Sequence, residues 1–307
     1  MLFRSSGFVF GQSSSGRWTS KAFAIGINRV ADFNSTMFYK GQNDYSSFAE
    51  PLANEFAGSR LSIDAALNSN SVSLLTKMAL YTYLVDTTTI NGNPQVIARS
   101  EQTSLLNQQN RISSSGGISE ISLGYAANMD DRLFLGLSLG IPLVNYRREL
   151  AWKEEDALGK GNNEFSYSTY NETYTSKGAG LNAKLGIIFK PAPQLRLGLS
   201  IHTPTLYGLR DNIYASMTTD LDTATGSQKV FSVNTDALYS NQNPGFEYDL
   251  TTPWRILFGG AWVLHEDADV TRQRGFITAE IEYVAHRGSK FSPAQRSEEH
   301  TSELQSH

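Results

Sequence analysis

The feature that most constrains this chain is an alternation in residues 132–146, RLFLGLSLGIPLVNY. Leu133, Leu135, Leu137, Leu139, Ile141 and Leu143 fall on one side, against Phe134, Gly136, Ser138, Gly140 and Pro142 on the other. Successive side chains of a β-strand point to opposite faces, so this run is a strand with one wholly apolar face. Strands of soluble sheets run about 5–6 residues, whereas a strand crossing a bilayer at a tilt takes about 9–11. This one is long enough to cross.

The pattern recurs in residues 179–190, 194–204 and 275–284, where Leu181, Leu185, Leu195, Leu197 and Ile281 join the apolar side. Weaker versions occupy 18–33, 117–128 and 254–264, and residues 2–10 form a further short one. The side opposite the leucines separates two fold classes. A soluble sandwich exposes that side to water and fills it with Lys and Glu. Here it is mostly Gly, Ser, Ala and Asn with a few charges, the pattern of a barrel with lipid outside and small or polar residues within. Connection lengths support this. Residues 11–17, 128–131 and 191–193 make short turns, 265–274 a fairly short one, and 34–116, 147–177 and 205–253 read as long loops. Short turns at one end and long loops at the other are what outer-membrane barrels show. Trp18, Tyr125, Tyr146, Trp254, Phe276 and Tyr283 lie near strand ends, where aromatic girdles would sit.

The longest loop carries helical periodicity. Residues 71–85 place Leu74, Leu75, Met78 and Tyr81 near helical spacing, and 46–54 and 60–68 read as shorter helices. Such a helix buries its apolar side either on neighbouring loops or under an apolar ligand.

Composition narrows the function classes. There are 307 residues and no Cys, which removes disulfides, cysteine-ligated metals and thiol catalysis. The net charge is −4 without a basic run, which argues against nucleic acid as a partner. No stretch offers the about 18 consecutive apolar residues of a membrane helix. Residues 1–10 lack the apolar core of a signal peptide. His202, His265 and His286 show no metal-protease spacing, and no Gly-x-Ser-x-Gly occurs, so no enzyme and no cofactor are expected. His265, Glu266, Asp267 and Asp269 read as a solvated acidic turn rather than a metal site. Residues 296–307, RSEEHTSELQSH, read as a sequencing-adapter translation and are set outside the fold, leaving 1–295 as one partial barrel.

Several strings carry a family resemblance. INRVADFN (27–34), YKGQN (39–43) and SSFAE (46–50) resemble the early extracellular loop of FadL-type outer-membrane transporters. SLGYAANMDDRLFLGLSLGIPLVNY (122–146) resembles a central hairpin of that family, and LRLGLSIHTPTLYGL (195–209) and TTPWRILFGGAW (251–262) resemble later strands. The resemblance implies an antiparallel transmembrane β-barrel of about fourteen strands with a plugging N-terminal hatch. About eight strands are recognised here, and no hatch. It further implies location in the bacterial outer membrane, contact with its lipid, insertion by barrel-assembly machinery, and passive passage of long-chain fatty acids or other hydrophobic compounds. The apolar loop site would be Leu74, Leu75, Met78 and Tyr81. By strand parity Asn182, Lys184, Arg196, His202, Arg255, Glu280 and Glu282 point into the lumen, where they either pair across strands and fill the interior or present Lys184, Arg196 or Arg255 to a ligand carboxylate. A structural barrel or general porin with adhesive loops is the alternative, and a secreted soluble β-protein is a third.

Overall fold

The computed structural model describes residues 5–90, 92–159, 164–222, 229–239, 245–264 and 274–294. The chain is mostly antiparallel β-structure, built as a curled sheet of antiparallel ladders. Its main path has eight strands in the order β1 (Ser5–Ser13), β2 (Trp18–Asp32), β6 (Leu106–Met129), β7 (Leu133–Asp156), β8 (Tyr167–Ala192), β10 (Leu206–Asp220), β12 (Phe246–Thr251) and β15 (Lys290–Pro293). Four further strands extend these ladders. They are β3 (Ser35–Asn43) on β6, β9 (Leu195–His202) on β8, β13 (Trp254–Leu264) on β9, and β14 (Gly275–Ala285) on β13. A short β11 (Val230–Asn234) adds to the end of β10. The breaks between β9 and β10 and between β12 and β13 fall at Pro204 and Pro253, residues that have no N–H to give to a ladder. Among the described residues, β1 pairs only with β2 and β14 only with β13, so both edges of the sheet are free.

Register sorts the side chains. Leu137 lies between Tyr125 and Leu185, which in turn meets Ile201, and Ile201 meets Ile256. Leu135 lies between Ala127 and Ile187, and Ile187 meets Leu199. Each ladder thus sets one apolar row against the next, and Leu133, Leu139, Leu181, Leu195, Leu197 and Ile281 share that face. It is open to the surroundings: Leu137 is 48%, Leu181 55% and Ile281 72% exposed. The other face is concave, because its side chains meet across an intervening strand. Glu120 of β6 reaches Asn182 and Lys184 of β8 over Gly140 of β7.

The strands outrun the lengths read from the sequence. β6 and β7 have 24 residues each and β8 has 26. Much of 34–116, 147–177 and 205–253, expected as loop, is therefore strand. The reason is physical. Beyond Leu143 the outward face carries Asn145, Arg147, Glu149 and Lys153, so the apolar alternation ends while the hydrogen-bonded ladder continues. The girdle expectation also needs correction. Trp18, Tyr125, Trp254 and Tyr283 are exposed on the outward face, but Tyr146 and Phe276 have the inward parity, opposite Gly116 and Val263.

A cap packs on the inward face at the far end of the long strands. It comprises α1 (Glu50–Ser59), α2 (Ile63–Asn68), α3 (Leu74–Tyr81) and the hairpin of β4 (Val85–Ile90) with β5 (Asn93–Ala98). Helices were expected at 46–54, 60–68 and 71–85. All three exist, each shorter than or displaced from its expected span. Ser62 and Ser73 set the starts of α2 and α3, their hydroxyls accepting from Ala65 N–H and Thr76 N–H. Leu52, Phe56, Val72, Met78, Leu80 and Leu84 form one buried cluster with Phe165, Tyr170 and Met217 of the sheet side. No helix among the described residues is long and apolar enough to cross a membrane, which says nothing of crossing by strands.

Candidate functional site

The inward face has three zones along the strands. The first lies behind the apolar belt and is paved with Gly124, Ala126, Gly136, Gly186, Gly198 and Gly259. Glycine and alanine leave room there. A cavity of about 420 Å³ opens over this floor, with Phe134, Ile188 and Leu257 as its large apolar walls and Ser200 and Glu280 at its polar side.

The second zone is polar. Glu120 is 7% exposed, and its carboxylate accepts from Lys184 Nζ at 2.5 Å and Asn182 Nδ2 at 3.0 Å. The Asn182 amide also donates to Thr205 Oγ1 at 3.3 Å. His202 is opposite both Lys184 and Arg255 in register, and its Nε2 lies 3.1 Å from Ser200 Oγ. Arg255 donates to Glu282 at 2.6 Å. Two cations thus face two carboxylates. Burial of a charge is tolerated when it is paired and hydrogen-bonded in this way. The space for the network depends on Gly140. A Cβ there would lie 2.6 Å from Asn182 Oδ1 and 2.8 Å from the Glu120 carboxyl carbon.

The third zone lies towards the cap. Tyr174 donates to Asp211, which also accepts from Tyr248. Beyond it Phe48 stacks on Trp152 with ring centroids 5.5 Å apart, and the Phe48 N–H donates to the buried Glu154 at 3.1 Å. Glu154 also accepts from Gln108 at 2.6 Å, so one carboxylate ties the entry of the cap to two strands. On the cap itself, Glu55 of α1 holds the start of α3. It accepts from the Ser73 N–H and hydroxyl, both at 2.7 Å, and from the Thr76 hydroxyl. Burial alone would push the Glu55 carboxyl up; these hydrogen bonds outweigh it and hold the group below its ordinary value.

The structure brings most of the residues expected in a lumen together on the concave face and separates them from the cap residues. Asn182, Lys184, His202, Arg255 and Glu282 form the polar zone. Glu280 is on the same face but exposed, and Arg196 is one ladder position from the strand end, opposite Ala261. Lys184 and Arg255 already face carboxylates, so a ligand carboxylate would compete with Glu120 and Glu282 for them. In the cap, Met78 is fully buried, Leu74 and Leu75 pack partly against the cluster, and only Tyr81 is half exposed. Next to it Tyr83 takes a left-handed conformation with φ of 57°, a position usually held by glycine at a helix end. Its ring meets Phe231 edge-on at 4.8 Å, and both Tyr81 and Tyr83 present exposed surface.

Sequence reasoning missed Glu120, the centre of the polar zone. The signal was available: Ile121 and Leu123 face outward, so residue 120 must face inward, and a lone carboxylate there needs a cation. Among the described residues no group of three or more His, Asp or Glu could hold a metal ion. His265, Glu266, Asp267 and Asp269, and residues 296–307, lie outside the described residues. Compared with known proteins, the chain matches no protein-family model, no curated protein and no solved structure.

Proposed function

We propose that this chain forms the wall of a bacterial outer-membrane β-barrel that passes hydrophobic compounds, such as long-chain fatty acids, without an energy source. The observation that carries this reading is the apolar belt. Exposed large apolar surface of this extent marks a membrane or partner interface. On β7 the belt runs from Leu133 to Leu143, about 33 Å of strand, or about 24 Å in height at a tilt near 45°. Outer-membrane barrels carry an apolar band about 25 Å tall. In this reading further strands pair with the free edges of β1 and β14 and close the barrel, since an open sheet edge is not tolerated in lipid.

A cavity walled by Phe134, Ile188 and Leu257 favours an apolar passenger over ions. The paired charges above it favour a passenger with a polar head that can trade places with Glu120 at Lys184. Tyr81 and Tyr83 offer apolar contact at the outside. A general porin is the competing reading, and reconstitution separates the two. The full chain in liposomes is expected to speed entry of a long-chain fatty acid while ion conductance stays at the level of bare liposomes. Open-pore conductance without faster fatty-acid entry would replace the transporter reading with the porin one.

A further inference from the structure

The strands carry a second outward surface beyond the belt, and its meaning rests on the reading that the belt lies in a bilayer. On three neighbouring strands the outward face carries a cation just past its last apolar residues, and the next strand, β12, sets Glu247 opposite Arg210 and Asp249 opposite Gly208. On β7 Leu143 is followed by Asn145 and Arg147, on β8 Leu181 and Ala179 by Lys177, and on β10 Leu206 and Gly208 by Arg210. Lys177 and Arg210 are directly opposite in register. Directly opposed side chains on one face have Cβ atoms about 5 Å apart, and like charges so placed repel. Arg147, opposite Thr175, stands on the diagonal from Lys177. All three cations are exposed. Arg147 leans on Glu149 and Arg210 lies 3.4 Å from Glu247, while Lys177 makes no ion pair with another described residue. An anion seated among the three cations would relieve the repulsion between Lys177 and Arg210.

The height of the patch identifies the source of that anion. Each cation lies two same-face positions beyond a leucine of the belt, where, with the belt in a bilayer, lipid headgroup phosphates sit and basic residues gain from anionic lipid. Further along the same outward face is a polar cleft of about 360 Å³ lined by Lys40, Gln42, Asn107, Gln109, Lys153 and Glu155. Lys40 and Lys153 flank Gln109 in register. Lys153 also contacts Glu155, and the Gln42 amide donates to Asn107 at 3.2 Å. From Arg147 to Lys153 is about 20 Å of strand. A phospholipid headgroup is too short to reach from one to the other, whereas a lipid bearing a phosphorylated saccharide spans both. Amides and lysines are also the donors that sugar hydroxyls and phosphates require.

We propose that Arg147, Lys177 and Arg210, with the Lys40–Lys153 cleft above them, bind a phosphorylated glycolipid of the outer leaflet, its lipid phosphate at the cation triangle and its saccharide along the outward face. The test uses the full chain reconstituted in vesicles, with bilayer insertion scored first. The probes are rough-type lipopolysaccharide, the same lipid stripped of phosphate, and its saccharide freed from the acyl chains. Wild type is expected to retain the phosphorylated lipid at least tenfold better than either other probe. The K177E/R210E variant is expected to insert normally and lose that preference, and K177R/R210K to keep it. Equal retention of the stripped lipid, equal binding of the free saccharide, or an unchanged preference in K177E/R210E would overturn the proposal. The two probe comparisons need no variant to fold. A wild-type chain that does not insert at all would overturn the bilayer reading along with it; insertion without phosphate preference would overturn this inference alone.

Discussion

Single residues fix two tight places in the sheet. Asp130 and Asp131 close the β6–β7 hairpin, both in the left-handed region with φ of 54° and 55°. They are the central pair of the turn that the Arg132 N–H closes on the Met129 carbonyl at 3.0 Å, inside a three-residue connection, and Asp tolerates that conformation better than most residues. A β-branched residue does not, so Asp131→Val is expected to lower stability by about 1–2 kcal/mol in denaturant titration. Gly140 is the second place. Gly140→Val would drive a side chain into Asn182 and Glu120 and is expected to destabilise by about 1–3 kcal/mol, with the loss shrinking when Glu120→Ala is added. At Glu55 the prediction concerns pH. Its folded-state value is depressed, so its contribution to stability is complete above the ordinary carboxylate range and is lost as pH falls through the lower folded value. Hydrogen exchange at the start of α3 is expected to quicken, beyond the intrinsic trend, as pH drops below about 4. Glu55→Gln should be faster at neutral pH and should lack this acid-specific loss.

At the scale of elements, legibility followed the apolar content of each face. β7, the lower half of β8, and β9 were plain in the sequence, because leucines on alternate positions form one exposed apolar face and meet other apolar side chains across the ladder. Their far halves were not. There Thr169, Thr173 and Asn171 face outward while Tyr170, Glu172 and Tyr174 face inward, and neither set alternates in hydropathy. The α3 helix was legible by its spacing, but the partner of its apolar face was not. Met78 packs into a cluster drawn from α1, β10 and residue Phe165, far apart in the sequence. The inward residues could be named from parity alone, yet their pairings depend on curvature that brings β6 over β7 to β8, which no local pattern encodes. Parity yields a direct element-scale expectation. Leu137→Arg or Leu185→Arg should cost about 2–4 kcal/mol of folded-state stability in vesicles. Ser138→Glu, on the opposite face of β7 and directly across from Lys184, should cost much less.

For the whole molecule, the central claim is that one face of the curled sheet meets lipid and the other encloses a polar passage. The absence of cysteine from the sequence makes the claim accessible to labelling, because a single introduced thiol is unambiguous. The decisive measurement places one cysteine at a time from residue 133 to residue 147, attaches a nitroxide, reconstitutes the full chain in vesicles, and reads collisions with oxygen and with a water-soluble nickel complex. Oxygen concentrates in lipid and the nickel complex in water. A strand with one face in lipid predicts a period of two: high oxygen and low nickel exposure at 133, 135, 137, 139, 141 and 143, with the reverse bias at the even positions, and an end to the lipid phase at 145 and 147. Uniform nickel exposure along the strand, or low exposure to both reagents at the odd positions, would place the leucines in water or in a sealed protein core and contradict the claim.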